Sequence, residues 1–297
     1  MGRHSVDPCG VQANEVVVRL AQRLVKATGR ALVPESERDR LSHLALHDAG
    51  YGYDVFGLHA DWVVTASALV GPLYRHYFRV TAHGAENIPA SGSAIFVANH
   101  SGTLPFDAAM LCFDVLTRTE PPRPLRAVAD HFVSVMPFVG TTLSRLGAVN
   151  GTMANLRHLL AAGEVCLIFP EGVPAIGKPL RERYQLHDWR PGHAELALRS
   201  NVPVIPVAII GAEEQWPQLG RINTGGLLGI PYLPIVATPV PLPVHYHIHY
   251  GAPLRLSDGV EHDAPSTEAV ERAAAATKNA VQALIRDGLD ARDGVFR

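Results

Sequence analysis

From residue 78 onward, apolar and polar positions along this chain follow the order of an α/β protein. Short continuous apolar runs, typical of strands buried on both faces, are followed by segments with apolar residues at helical spacing. The predicted strands cover 78–82, 93–99, 125–129, 165–169, 202–210 and 244–250. The predicted helices cover 107–116, 131–146 with an interruption at Pro137, 155–162, 192–200 and 267–289. The pattern predicts a mixed, mostly parallel sheet flanked by helices.

The first part of the chain has a different pattern. Residues 15–28 predict an amphipathic helix with a basic polar face, and 61–77 predict a second helix. The segment between them, 34–60, is polar and irregular. We therefore predict an N-terminal helical region over residues 1–77, packed on a membrane or on the α/β domain of residues 78–297.

Composition narrows the choice of partners. Of the 297 residues, 47% are hydrophobic and 18% are charged, which suits a globular core, and the formal net charge is −2. We therefore expect no nucleic-acid partner. The three cysteines lie far apart without metal-ligand spacing, so we expect neither a disulfide framework nor a zinc site. A reduced, cytoplasmic setting is the expectation.

No apolar stretch reaches the ~18 residues that a membrane-spanning helix needs. The two longest candidates are 62–74, which ends in basic residues, and 225–243, which prolines interrupt. Each suits either the protein core or contact with a membrane surface. We expect any membrane association to be peripheral, at the cytoplasmic face.

A histidine and an aspartate bracket the end of the most apolar predicted strand. The strand stops at Asn99-His100, Ser101 and Gly102 break regular structure, and Asp107 comes just before the next helix. In open α/β folds the carboxyl ends of the strands are where ligands bind. A histidine oriented by a carboxylate is a minimal general base, although an isolated pair of this kind is more often structural.

A second polar block follows another predicted buried strand. It consists of Phe169, Pro170, Glu171 and Gly172, in which a proline and a glycine shape the turn around a carboxylate. Taken alone, the block also suits a simple turn with an exposed glutamate. Because parallel strands end at the same edge of a sheet, we expect Glu171 to face the same cleft as His100.

Two other patterns favour no site. Residues 172–179 follow the spacing of a phosphate-binding loop, but Pro179 replaces the hydroxyl residue that holds Mg²⁺ and Pro174 removes a backbone donor. Three histidines, at 245, 247 and 249, alternate along one predicted strand and share one face. They lack a carboxylate or cysteine at ligand spacing, so we expect a polar sheet face and no metal.

Four blocks of this sequence, in order, resemble those of the glycerolipid (lysophospholipid) acyltransferases, the family that forms phosphatidic acid from 1-acylglycerol-3-phosphate. They are 99–107, 146–150, 169–172 and 202–207, and the resemblance covers residues 78–215. It implies a mixed sheet flanked by helices, in agreement with the pattern above.

The resemblance implies a mechanism and its residues. His100 deprotonates the hydroxyl of a lipid acceptor, Asp107 orients His100, and the hydroxyl attacks an acyl thioester, either acyl-CoA or an acyl carrier thioester. The partners are that donor, a lysophospholipid-like acceptor and a membrane surface, and no cofactor is needed. The implied substrate-binding residues are Asn99, Ser101, Gly102, Phe169, Pro170, Glu171, Gly172, Lys178 and Arg145.

The sequence departs from the family pattern at two places. Six residues separate His100 from Asp107 instead of four, as in the subset similar to monoacylglycerol acyltransferases. Val173-Pro174 stand where the family has Thr-Arg, and the second block lacks its arginine. The cations that could replace these arginines at an acceptor phosphate are Lys178, Arg145, Arg181, Arg183 and Arg190.

If none of these cations does so, the acceptor carries no phosphate and is a monoacylglycerol-like or glycolipid alcohol. Two further readings stay open: a catalytically silent lipid-binding protein, and a thioesterase in which His100 activates water.

Overall fold

The computed structural model describes most of the chain from residue 33 onward. It covers Arg23, Ala27 and residues 33–297 without 45, 102–103, 132, 134–135, 137, 224–231 and 258–261. The helix predicted at 15–28 lies outside the described residues, apart from Arg23 and Ala27, which are helical. The strands are β1 (Thr81–His83), β2 (Ala94–Ala98), β3 (Leu125–Ala129), β4 (Val149–Asn150), β5 (Val165–Ile168), β6 (Val204–Ile210), β7 (Gln218–Asn223), β8 (Tyr232–Val236) and β9 (His247–Tyr250).

The helices surround these strands in sequence. They are α1 (Glu35–Ser42), α2 (Ala60–Pro72), α3 (Phe106–Arg118), α4 (Val139–Arg145), α5 (Met153–Ala161), α6 (Val173–Ile176), α7 (Gly192–Ser200) and α8 (Thr267–Ala291). A π-helical turn, Leu73–Tyr77, continues α2, and 3₁₀ helices occupy Ala85–Asn87 and Leu180–Glu182. Among the described residues, no helix combines the length and apolarity needed to cross a membrane.

Seven of the described strands form one mixed sheet in the order β1-β9-β6-β2-β5-β3-β4. The strands from β6 to β4 in that order run parallel to one another, whereas β9 is antiparallel to β6 and β1 is parallel to β9. The predicted α/β fold with a mostly parallel sheet is therefore confirmed. Strands β7 and β8 form a separate antiparallel hairpin.

Central strands β2 and β6 are buried along their whole length. Phe96 and Ala98 of β2 face a core that includes Met110 and Leu111 of α3. Residues Ile95 and Val97 face the opposite core, where α5 and α7 pack. Burial on both faces explains the continuous apolar runs, since fully burying each such side chain contributes about 1.5–3 kcal/mol.

A buried arginine, Arg126, connects the N-terminal region to the sheet through ion pairs. Nη1 of Arg126 on β3 lies 2.6 Å from a carboxylate oxygen of Asp54 and 2.6 Å from one of Glu164. The other oxygen of Asp54 accepts the backbone N–H groups of Phe56 and Leu58. Because the Arg126 side chain is only 1% exposed, this ion pair is part of the core.

Local predictions differ from the structure at several places, and the strand predicted at 244–250, for example, begins only at His247. Helix α1 forms within the segment predicted to be irregular, because Glu35 and Glu37 occupy its first turn and Leu41 is buried. Strand β1 begins only at Thr81, since Arg79 has a left-handed backbone with φ of 47°. Strand β8 forms despite Pro234, which a two-stranded hairpin tolerates because each of its strands is an edge.

Candidate active site

The two polar blocks meet because their strands are neighbours. Strands β2 and β5 are parallel, and Val97 lies opposite Ile168 in the register. The chain therefore leaves both strands at the same sheet edge, where His100 follows one strand and Phe169 follows the other. Their rings stack with centroids 4.2 Å apart and planes inclined by 21°. The two blocks meet at one sheet edge as predicted, but Glu171 is 2% exposed and lies outside the cavity wall that includes His100, so it does not face the same cleft.

His100 and Asp107 form a hydrogen-bonded pair across the long loop. Nδ1 of His100 lies 2.7 Å from Oδ2 of Asp107, which is fully buried, whereas the His100 side chain is 12% exposed. The backbone N–H of Ser101 donates to Oδ2 at 2.9 Å, and that of Ala108 donates to Oδ1 at 2.7 Å. Asp107 lies in the first turn of α3 and reaches His100 although six residues separate the two in the sequence.

This geometry selects one tautomer of His100. The Asp107 carboxylate accepts hydrogen bonds only, so Nδ1 carries the proton and donates it to Asp107. Nε2 is then the nitrogen left to accept a proton. Burial alone lowers the pKa of His100, but the Asp107 carboxylate, with Glu171 and Glu213 behind it, outweighs burial and raises that pKa above its usual 6.5.

A buried cluster of charged residues lies behind His100. Glu171, 2% exposed, accepts the backbone N–H of His100 at 3.4 Å and that of His187 at 2.8 Å. Nζ of Lys178 lies 3.4 Å from Glu171 Oε2 and 3.4 Å from Glu213 Oε2. Burial raises the pKa of Glu213 to about 7. Lys178 opposes this rise, but its one ammonium group is shared between two carboxylates.

Asn99 joins the central strands next to the site. Its side-chain amide donates to the backbone carbonyl of Ile209 at 3.0 Å and accepts the backbone N–H of the same residue at 2.8 Å. Asn99 is 1% exposed, so these bonds replace the water that it gives up on burial. This bidentate contact holds the end of β2, and therefore His100, against β6.

A large apolar cavity of about 1180 Å³ opens beside the His100 ring. This volume exceeds the roughly 300–1,000 Å³ typical of small-ligand pockets. Helix α2 supplies Val63 and Val70 to its wall, and α3 supplies Ala108 and Phe113. The remaining wall comes mainly from β3, α4 and the strand-end loops. A cavity of this size and lining suits a long hydrocarbon chain.

The cations considered for a phosphate occupy different places. Arg145 lies against the ring of Tyr53, with Cζ 4.2 Å from the ring centroid, and Lys178 is buried between its two carboxylates. Among the described residues, Arg190 is the one Lys or Arg side chain in the cavity wall. Its backbone N–H donates to the carbonyl of Pro170 at 3.1 Å.

Other predicted residues lie around the cavity in different ways. Phe169, Pro170 and Gly172 line it. Gly172 has φ of 61° and ψ of −150°, a conformation essentially restricted to glycine. Ser101 is buried and contributes its backbone N–H to Asp107, and Gly102 lies outside the described residues.

Sequence reasoning missed Glu213. It follows the buried strand β6 in the segment Gly211-Ala212-Glu213-Glu214, so it also lies beyond the end of a central strand. The structure brings it to the same edge as His100 and Glu171, since β6 and β2 are adjacent and parallel. The sequence signal for Glu213 was a carboxylate placed shortly after a fully apolar strand.

Known proteins match this chain in both sequence and fold. Residues 79–210 match the family model for acyltransferases. An uncharacterised protein of Mycobacterium tuberculosis is 38% identical over 228 residues, which are 72% of this chain and 63% of the relative. A human protein named as a DGAT1/2-independent enzyme synthesizing storage lipids is 30% identical over 209 residues, 68% of this chain and 60% of its own.

A solved structure shares the fold. The 1-acyl-sn-glycerophosphate acyltransferase PlsC of Thermotoga maritima matches with a TM-score of 0.51 and 19% identity, over 79% of this chain and 83% of its own. This chain spans about three fifths of the length of the two sequence relatives above. Residues 79–210 of this chain form a domain of the acyltransferase family.

Proposed function

We propose that this protein transfers a fatty acyl group from an acyl thioester, acyl-CoA in the first instance, to a hydroxyl group of a glycerolipid. The observation that carries the proposal is the His100–Asp107 pair, joined at 2.7 Å, whose imidazole forms part of the wall of a large apolar cavity. The acyltransferase-family domain that contains this pair supports the same reaction class.

The reaction follows from the tautomer of the base. Nε2 of His100 takes the proton of the acceptor hydroxyl while the hydroxyl oxygen attacks the thioester carbonyl. The tetrahedral intermediate then expels the thiolate, which receives that proton from Nε2, so the products are an ester and a free thiol. Asp107 keeps Nδ1 protonated and stabilises the imidazolium formed between the two steps. No covalent bond to the protein is needed.

Arg190 supports an acceptor that carries phosphate, such as a lysophospholipid. Its guanidinium lies 3.7–3.9 Å from the position that a Cβ atom would occupy at Gly172, next to the second strand-end block. A guanidinium matches a phosphate with two parallel hydrogen bonds. A lysophosphatidate-type acceptor therefore places its head group at Arg190 and its hydroxyl at His100.

A phosphate-free acceptor is the second candidate. Two of the cations expected to replace the missing arginines, Lys178 and Arg145, are engaged by Glu171, Glu213 and Tyr53. The human relative's name, which refers to storage lipids, favours the same alternative. In this case Arg190 plays no part in acceptor affinity.

A panel assay separates these readings. Purified protein is given acyl-CoA or an acylated carrier protein, with lysophosphatidic acid, monoacylglycerol, a glycolipid alcohol or no acceptor, and thiol release is followed. We expect release only with an acceptor, and a loss of about 10²-fold or more in His100→Ala. Release without any acceptor would identify a thioesterase, and no release from any pair would leave a lipid-binding protein.

The Arg190→Ala variant decides between the acceptors. If the acceptor carries phosphate, its KM rises about tenfold or more while monoacylglycerol turnover is unchanged. The matched control is Arg181→Ala, since the Arg181 side chain is 83% exposed and pairs only with the neighbouring Glu182 among the described residues. Equal effects of the two variants would exclude the phosphate contact.

The proposed site of action is the cytoplasmic face of a membrane. The β7–β8 hairpin exposes Leu219 (70%) and Ile222 (54%), and its Pro234 lines the cavity. Exposed apolar side chains next to a cavity for lipid are suited to shallow insertion into a bilayer. We expect the protein to co-sediment with liposomes. The Leu219→Glu substitution should weaken this binding, and carbonate should reverse it. A detergent requirement for extraction would contradict peripheral binding.

A further inference from the structure

Four histidines gather on two neighbouring strands at one side of the sheet. His245, His247 and His249 share one face along and just before β9, and the structure adds His83 from β1. His83 lies directly opposite His249 in the parallel register, and their rings stack at 4.4 Å. His83 precedes His247 by 164 residues, so sequence spacing alone did not reveal this cluster.

One of the four already has another partner. Nε2 of His245 lies 2.9 Å from the hydroxyl of Thr81, with which it shares a hydrogen bond. The other three are close enough to share an ion, since one ring nitrogen from each of His83, His247 and His249 lies within 4.8 Å of the others.

The closest pair already has the spacing of two ligands. Nε2 of His83 lies 3.4 Å from Nδ1 of His247. Two imidazole nitrogens at about 2.0–2.1 Å from a tetrahedral Zn²⁺ are about 3.4 Å apart. A metal ion lies in the plane of each ring that binds it, so binding would require the exposed ring of His83 to turn out of its stack with His249.

Two ring nitrogens in this cluster are buried without hydrogen bonds. Nε2 of His247 and Nε2 of His249 have no partner among the described residues. Buried polar atoms are rarely left unpaired in native proteins, so the cluster holds ring nitrogens that the described residues leave unused.

We propose that His83, His247 and His249 together bind one divalent transition-metal ion of the Zn²⁺ type. Imidazole ligands suit zinc, copper and nickel and do not suit Mg²⁺ or Ca²⁺.

The ion would fasten β1, an edge strand of three residues, to β9. It would thus close a chain segment of more than 160 residues, and a cross-link over so long a segment constrains the unfolded chain strongly. The site is separate from the cavity, since none of the three histidines lies in its wall. We therefore expect the ion to stabilise the fold without taking part in acyl transfer.

Calorimetric titration of the full, EDTA-treated chain with ZnCl₂ tests the site. We expect the titration to give one ion per chain. In thermal unfolding, Tm should rise by about 4 °C at a free zinc concentration 100 times Kd. His83→Gln and His249→Gln should each weaken binding at least tenfold. His83 is exposed, so its variant should fold normally even if the other does not.

Two variants control for other ligands. His245→Gln alters the same strand and face outside the proposed set, and His100→Ala removes the other candidate imidazole; both should keep the zinc affinity. The proposal is overturned if His83→Gln binds zinc as tightly as the unaltered protein, or if His245→Gln or His100→Ala abolishes binding. Acyl transfer is assayed separately, so the fate of this proposal is independent of the proposed function.

Discussion

The backbone N–H of His100 donates a hydrogen bond to Oε1 of Glu171 at 3.4 Å, so the second strand-end block holds the backbone of the base. Glu171 is 2% exposed and does not line the cavity. In the resemblance to glycerolipid acyltransferases, this glutamate was expected to bind the acceptor. Its position in this chain supports a different role, in which it orients His100 and anchors the loop that contains His187.

The Glu171→Ala variant tests that role. We expect kcat to fall about tenfold or more with the KM for the acceptor within about threefold, because a small displacement of the base slows proton transfer without removing an acceptor contact. Glu171→Gln keeps one oxygen acceptor and should recover part of the loss. Steady-state kinetics with exposed Glu268→Ala as the control would measure both. A raised KM with unchanged kcat would mean that Glu171 contacts the acceptor.

Asp107 should set the pH dependence of the reaction. The base must be neutral at Nε2, so kcat/KM rises with pH through the pKa of His100, which Asp107 raises. Asp107→Asn removes the negative charge, and we expect the acidic limb of the pH profile to move to lower pH while the plateau falls at least tenfold.

Asp114 provides the matched control. It lies on the same helix, is fully buried, and is bonded to Tyr74, Tyr250 and Arg118. Asp114→Asn should lower the midpoint of urea unfolding and leave the acidic limb in place. If instead Asp114→Asn moves that limb and Asp107→Asn does not, Asp107 is not the partner of the base.

Glu213 should make stability depend on pH near neutrality. Its pKa in the folded protein is about 7, above its value of 4.5 in an unfolded chain, so the folded protein binds the extra proton between these values. Stability contributed by this group is therefore present below about pH 4.5 and is lost as pH rises through 7. Urea unfolding from pH 5 to 8 should show this decline.

The Glu213→Gln variant isolates that contribution. The amide cannot ionise, so the decline between pH 5 and 8 should be smaller than in the unaltered protein. Glu195→Gln, at a partly exposed ion pair with Arg199, should leave the slope unchanged. Parallel curves for Glu213→Gln and the unaltered protein would show that Glu213 does not titrate in this range.

Arg126 should matter for stability more than any surface ion pair. Arg126→Met leaves the carboxylates of Asp54 and Glu164 without their cation, and we expect the free energy of unfolding to fall by about 3–5 kcal/mol. Arg272→Met breaks an exposed pair with Glu268 and should cost less than about 0.5 kcal/mol. Chemical denaturation measures both, and equal losses would contradict the distinction.

The strands and the His100–Asp107 pair were predictable because each has a local signal. Residues 94–98 form an apolar run typical of a doubly buried strand, and His100 and Asp107 stand seven positions apart at its end. Helix boundaries such as that of α7 followed from apolar spacing. Predictions that depended on one segment of chain were therefore mostly confirmed.

Features that depend on distant segments were not predictable. Lys178 is a free cation in the sequence, but folding places it between Glu171 and Glu213, which come from two different strand ends. His83 gains its neighbours only when β1 pairs with β9. Such contacts follow from the order of strands in the sheet, about which hydrophobic periodicity contains little information.

Helix α2 gives the cavity one of its walls, yet it precedes the matched domain of residues 79–210. A protein cut down to that domain would lack this wall of the cavity. On the proposed function, the length of acyl chain accepted is thus encoded partly in a segment that precedes the residues matching the family model. Substitutions in this helix would then change the preferred chain length while the chemistry at His100 stays the same.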